Sequence, residues 1–170
     1  MNAEFVEKWA SVLEEYAVRY GDKVKGWWID GCYTYFGYTD EKLRPYADAI
    51  RAGNPEALIA FNGGVKKRVV AYSALDDYTC GEMNSFVDLP DERFIDGAQW
   101  HTLAPLGIAP DGSEWGAWAK PGCKHSAEHM ADYIKEVNRR GGVVSIDAAL
   151  YRDGHIDPEQ LELLKTLKEI

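Results

Sequence analysis

Segments of helical periodicity alternate along this chain with short, apolar, β-prone runs, and that alternation limits the fold more than any other feature. Phe5, Val6, Trp9, Val12, Leu13, Tyr16, Ala17 and Tyr20 recur at three- and four-residue steps, which predicts one inward helix face ending at Gly21. A buried strand follows over 24–29, closed by Asp30-Gly31. Thr39 or Asp40 caps a second helix with Leu43, Tyr46, Ala47 and Ile50 inward, and a second strand spans Ala57 to Phe61 before Asn62-Gly63-Gly64. Weaker strand signals lie at 69–72, 78–80 and 93–100, and a loop rich in Gly, Pro and Trp runs from Leu103 to Cys123. Ser126 caps a helix carrying Met130, Tyr133, Ile134 and Val137; a strand over Val143 to Asp147 follows. Asp157-Pro158-Glu159-Gln160 then starts a last helix with Leu161, Leu164 and Leu167 inward. Strands that alternate with helices form a parallel sheet covered by helices, so the fold class is α/β; an open sheet and a barrel both satisfy the pattern.

Parallel α/β folds bind ligands beyond the C-terminal ends of their strands. Polar, aromatic and glycine residues gather there in this chain: at Asp30 to Tyr35, Asn62 to Gly64, Glu82 to Asn84, and Trp100 to His101. The net charge of −9 excludes an average field that attracts phosphate, so neither nucleic acid nor an anionic membrane is expected as a partner. No apolar run is long enough for a membrane span, and the first residues lack the pattern of a secretory signal. The three cysteines, Cys32, Cys80 and Cys123, are odd in number and widely spaced, which suits reduced thiols and a cytoplasmic setting. Six Trp and ten Tyr exceed what a core of this size needs, so some rings are expected to face a ligand. Trp27, Trp28, Tyr35, Trp100, Trp115 and Trp118 offer flat apolar faces suited to sugar rings, with Asn62, Asn84, Gln99 and His101 as directed hydrogen-bonding groups. Strand alternation sends Trp27 and Trp28 to opposite faces, so at most one of the two meets the ligand.

Two carboxylates stand out. Asp30 ends an apolar strand, and Glu82 closes Tyr78-Thr79-Cys80-Gly81-Glu82. Facing one pocket, such a pair divides labour between an ionised nucleophile and a protonated general acid; a separation of about 5 to 5.5 Å is that of a retaining glycosidase. A turn role for Asp30 and a solvated loop position for Glu82 account equally for the spacing alone. Cys123, His125 and His129 have a zinc-compatible spacing but no fourth ligand, so surface or capping roles are expected and no metal or cofactor is assigned. The pairs Gly63-Gly64 and Gly141-Gly142 lack the residues of a phosphate loop and read as turns.

The ordered series 26–31 (Gly-Trp-Trp-Ile-Asp-Gly), 58–64 (Leu-Ile-Ala-Phe-Asn-Gly-Gly), 78–82, a Trp-Gly loop, Arg139-Arg140-Gly141-Gly142, and Asp153-Gly154-His155-Ile156 before Pro158 resembles the C-terminal half of the catalytic barrel of family 29 glycoside hydrolases, the α-L-fucosidases. The resemblance covers nearly the whole chain. It implies Asp30 as nucleophile and Glu82 as acid/base of a retaining mechanism on a terminal sugar; should Glu82 not hold that role, Glu114 in the long loop and then Asp77 are the next choices. From the aromatic and hydrogen-bonding residues noted above, Trp28, Tyr35, Asn62, Trp100, His101 and Trp115 are the expected substrate-binding residues. After the double glycine the sequence runs Val143-Val144-Ser145-Ile146-Asp147-Ala148-Ala149, where the family has a Leu-Leu-Asn-x-Gly-Pro segment, so that strand end presents a different surface.

A complete (β/α)8 barrel takes about 250 residues. The resemblance therefore implies, for residues 1–170, a single half-barrel domain of the TIM type. Such a domain is either part of a longer catalytic barrel or a half-barrel that covers its sheet edges by pairing with itself, as a symmetric dimer, or with a completing N-terminal half. The other expectation, from a different functional class, is a catalytically silent half-barrel that binds carbohydrate or serves assembly.

Overall fold

The computed structural model describes residues 2–83, 88–112 and 117–168. Helices and strands follow in the order α1 (Ala3–Tyr20), β1 (Gly26–Ile29), α2 (Asp40–Gly53), β2 (Leu58–Phe61), β3 (Phe94–Ile95), β4 (Ala98–Gln99), β5 (His101–Pro105), α3 (Ala127–Arg139), β6 (Val143–Asp147) and α4 (Pro158–Leu167). The architecture is mixed α/β with the parallel strand pairs β1–β2 and β5–β6, and the described strands do not close into a barrel. Two compact units divide the chain. The first takes the residues up to Gly64 with Val70–Cys80 and Phe94–Gln99; the second takes Val65–Val69, Gly81–Arg93 and the chain from Trp100 onward.

In the first unit, β1 and β2 pair with Trp27 opposite Ile59 and Ile29 opposite Phe61. Those four side chains share one face of the pair and meet α2 in a core of Ile29, Leu43, Tyr46, Ala47, Ile50, Ile59 and Phe61, with Trp27 packed against it. Trp28, opposite Ala60, therefore lies on the other face, as alternation requires. The outer edge of β2 is satisfied by side chains: Phe61 N–H donates to Asp76 Oδ1 (2.9 Å) and Ile59 N–H to Asp77 Oδ2 (2.9 Å). Buried strand donors need such partners, and two adjacent aspartates supply them without a full strand. Asp77 also pairs with Arg51 at 3.0 Å, which makes it a structural carboxylate.

Three expectations for this unit are corrected. On α1 only Val6 and Ala17 are buried, with Ala10 and Leu13 partly so; Phe5, Trp9, Val12, Tyr16 and Tyr20 are exposed. α1 meets α2 at a close approach, with Gly53 against the Ala17 carbonyl, so the small side of the helix turns inward and the large side outward. The single strand read at 93–100 is the antiparallel pair β3–β4, joined by Asp96-Gly97 with both φ positive, the conformation an Asp-Gly hairpin turn demands. Residues 69–72 form no strand, and 78–80 contribute the single bridge Tyr78–Gln99.

In the second unit, β5 and β6 pair from His101–Val143 to Pro105–Asp147, so the expected loop begins at Leu106, three residues later than Leu103. Trp100, Thr102 and Ala104 turn toward α3: Thr102 Oγ1 and Tyr133 OH share a 2.8 Å hydrogen bond, and Met130 and Val137 are buried beside them. α3 and α4 carry the expected caps, Ser126 accepting from His129 N–H and Asp157 from Gln160 N–H. α4 is rotated relative to the leucine pattern, with Gln160 and Leu163 buried and Leu161 exposed. Gln160 fixes that rotation: its amide donates to the Lys120 and Gly122 carbonyls (2.7 Å each) and accepts from Ala149 N–H (2.7 Å). A buried amide with all these partners outweighs the burial of one leucine.

Candidate functional site

The first unit places Asp30 one residue beyond β1, on the face opposite the α2 core, beside Asn62 one residue beyond β2. Asp30 Oδ1 accepts two N–H groups, the Gly31 backbone at 2.7 Å and Asn62 Nδ2 at 2.9 Å. Asn62 is buried and held in turn, its Oδ1 accepting from Gly64 N–H at 3.0 Å and its backbone bridging Ile29 O and Cys32 N. One oxygen of an exposed carboxylate is thus fixed by a buried amide whose orientation the Gly64 bond sets, which aims the carboxylate. Trp28 shares this face of β1, two residues before Asp30.

Aromatic rings border the cluster. Tyr33 lies against Gly64, where a Cβ would meet its ring at 2.9 Å. Tyr35, 77% exposed, stacks on Tyr33 with centroids 5.4 Å apart and meets Phe36 with its ring tilted at 54° and centroids 4.4 Å apart. The sequence singled out Tyr35; Tyr33 and Phe36 were legible by the same signal, aromatics directly after a strand-terminal carboxylate. Cys32 is no competing nucleophile, because burial, reinforced by Asp30 and Asp76, pushes its thiol up to about 12.

The second unit holds Glu82. Its backbone bridges Leu103 in parallel register, so Glu82 shares the face of β5 that carries His101 and Leu103, opposite the α3 side. Gly81 permits this approach: its φ is +58°, and a Cβ there would stand 2.1 Å from the His101 carbonyl oxygen. His101 is buried, and its Nε2 shares a 2.8 Å hydrogen bond with Ser145 Oγ on the same face of β6. Asp147, two residues beyond Ser145, also lies on that face and accepts Ala119 N–H at 2.7 Å. Asp147 carries the same sequence signal as Asp30, a carboxylate at the tip of a β-prone run.

Trp100 is fully buried among Gly142 and Val137 on the α3 side, so it is a packing residue that offers no face to a ligand. Asn84, Glu114 and Trp115 lie outside the described residues. Asp30 belongs to the first unit with Asn62, Trp28 and Tyr35; Glu82 belongs to the second with His101. Among the described residues no group of three or more His, Cys, Asp or Glu side chains is placed to hold a metal ion. His125 and His129 instead stack ring on ring at 4.6 Å, and burial with the nearby Glu159 and Asp157 pushes the Cys123 thiol up.

No protein-family model and no curated protein sequence matches the chain. Solved structures do. The chain is similar to the endo-fucoidan hydrolase MfFcnA4 of glycoside hydrolase family 107 (TM-score 0.74, 21% identity, covering 95% of this chain and 29% of that one). It is similar to MfFcnA9 of the same family (TM-score 0.69, 21% identity, 95% and 35%). It is also similar to the α-L-fucosidase AlfC from Lactobacillus casei (TM-score 0.62, 15% identity, 94% and 43%). The fold is therefore one found in glycoside hydrolases of two families, and the chain spans about a third of the length of these two family 107 structures. At such identities the likeness establishes the fold alone, and it does not single out family 29.

Proposed function

We propose that this chain carries the catalytic strand ends of a retaining glycoside hydrolase acting on fucose-type glycosides, in the manner of the C-terminal half of a TIM-type barrel. The observation that carries the reading is the aimed carboxylate of Asp30. A nucleophile on an anomeric carbon needs one oxygen held and the other presented, and the Gly31 and Asn62 donors both bind Oδ1. Asp30 attacks the anomeric carbon while Glu82 gives its proton to the departing glycosidic oxygen. Glu82 then takes a proton from water as that water releases the sugar from Asp30. Trp28, Tyr35, Asn62 and His101 serve substrate contact; of the residues expected for that role, Trp100 is left out because it is fully buried. The reading calls for no metal or cofactor, and it assigns the remaining walls of the sugar site to further polypeptide, from a second copy or a completing chain.

Hydrolysis of a chromogenic α-L-fucoside and of fucose-containing oligosaccharides tests it. Asp30→Asn is expected to lower turnover by several powers of ten with the fold intact. Glu82→Ala is expected to lose most rate on poor leaving groups and to regain turnover with azide. Hydrolysis undiminished by Asp30→Asn overturns the assignment. Binding of fucosides by the wild-type chain without hydrolysis supports instead the silent carbohydrate-binding reading, which the exposed Tyr33, Tyr35 and Phe36 rings favour.

A further inference from the structure

Phe5, Trp9, Val12, Tyr16 and Tyr20 form a continuous stripe down α1, each between 38% and 49% exposed. The stripe lies about a quarter turn from the buried side that Val6, Ala10, Leu13 and Ala17 turn toward α2, so it is a second apolar face, uncovered by the described residues of its own unit. Four half-exposed rings leave roughly 400 Å² of apolar surface in one strip, the size of the largest patch on a typical soluble monomer, which is often functional. The spacing of four, three and four from Phe5 to Tyr16 is that of a coiled-coil seam.

Charge decides what fits the seam. Beside it, on the side away from the core, stand Lys8 and Glu15, one heptad apart at equivalent positions. Lys8 is bonded to Glu4 and Glu15 to Arg19 within the helix. Two such helices in parallel would set Lys8 beside Leu13 and Glu15 beside Tyr20, with no ionic match. Run antiparallel, they set Lys8 of each beside Glu15 of the other. Glu4, Lys8 and the second copy's Glu15 and Arg19 then follow one another with alternating sign, twice over by symmetry. The same register seats Phe5 on Tyr16 and Trp9 on Val12 of the second copy.

From this complementarity we propose that α1 is a self-association surface, on which two copies of the chain pair through an antiparallel α1–α1 seam. The paired area, at most about 800 Å² in total from Phe5, Trp9, Val12 and Tyr16 of both copies, is below that of stable specific interfaces and in the range of weak, transient ones, so the dimer forms with rising concentration and is not permanent. The proposal is independent of the catalytic reading, since no stripe residue belongs to the Asp30 or Glu82 clusters.

Sedimentation equilibrium on the full chain, with circular dichroism to verify helix content, tests it. The mass is expected to rise from 19.1 kDa toward twice that value across the micromolar range. Lys8→Glu and Glu15→Lys, each alone, set like charges across the seam at two places and are expected to weaken pairing about tenfold. The double variant K8E/E15K is expected to pair as the wild type does. Within each helix it sets the introduced carboxylate beside Glu4 and the introduced ammonium beside Arg19, so a merely intrahelical effect would make it the worst of the three. Trp9→Glu is expected to leave a folded monomer. A chain that stays monomeric throughout, as it would if the stripe serves to seat some other polypeptide, overturns the proposal. So does a dimer indifferent to Trp9→Glu, or a double variant no better than the single ones.

Discussion

Asn62→Asp probes the heart of the candidate site without requiring turnover. In the native chain Asn62 Nδ2 donates to Asp30 Oδ1 at 2.9 Å, while Asn62 Oδ1 accepts Gly64 N–H. An aspartate keeps the second bond and turns the first into a meeting of two carboxyl oxygens. Two unit charges about 4 Å apart interact by roughly 4 kcal/mol at an effective dielectric of 20. Asp30 is exposed, so screening reduces this repulsion to about 1–2 kcal/mol. When protonated, the introduced carboxyl can itself donate to Asp30, and the native bond is nearly reproduced. Its proton is thus held more tightly in the folded chain than in the unfolded one. The folded pKa is raised, so stability is fully present below the unfolded carboxyl range near about pH 4 and is lost as pH rises through the higher folded value. At neutral pH the deficit is about 3 kcal/mol once the lost charge-assisted bond, itself about 1.5–3 kcal/mol, is included. Asn62→Ala loses that bond and the one from Gly64 N–H and adds no charge, so above the carboxyl range its deficit does not grow further with pH. Urea unfolding followed by tryptophan fluorescence at a series of pH values reads both variants. A deficit of Asn62→Asp that does not change between acid and neutral pH refutes the placement of Asn62 against Asp30.

Gly53→Ala should destabilise the first unit by about 3 kcal/mol although alanine favours helices by about 1 kcal/mol, because the new Cβ would stand 2.0 Å from the Ala17 carbonyl oxygen and force α1 away from α2; an unchanged or raised urea midpoint would show that the two helices do not meet there. Gln160→Leu, close in volume, should cost at least about 3 kcal/mol by stranding the carbonyls of Lys120 and Gly122 and the N–H of Ala149, against the small gain that a leucine-lined face would give; thermal unfolding decides between the two signs.

Local pattern alone determined a good part of this protein. The Thr39 start of α2 with Leu43, Tyr46, Ala47 and Ile50 inward, the Ser126 and Asp157 caps, and the strand tips at Asp30 and Asn62 all lie where the sequence indicates, because caps and periodicity act within a few residues. What the sequence left open depends on contacts between distant segments. The bond between Asn62 and Asp30 spans 32 residues, and the choice of Asp76 and Asp77 as partners for the β2 edge spans 15 and 18. No local signal separates such aspartates from solvated ones; only the unpaired strand donors they satisfy do so. The same holds for apolar residues. Helical spacing marked Phe5, Trp9 and Tyr16 as a face of α1 but could not say whether α2 would meet that face or the smaller one beside it, and the close approach of Gly53 to Ala17 settled the matter. Trp100 went the opposite way, from a ring expected to meet a ligand to one enclosed against Gly142, because strand alternation fixes that two neighbours face apart while only the packing of α3 fixes which of them is inside.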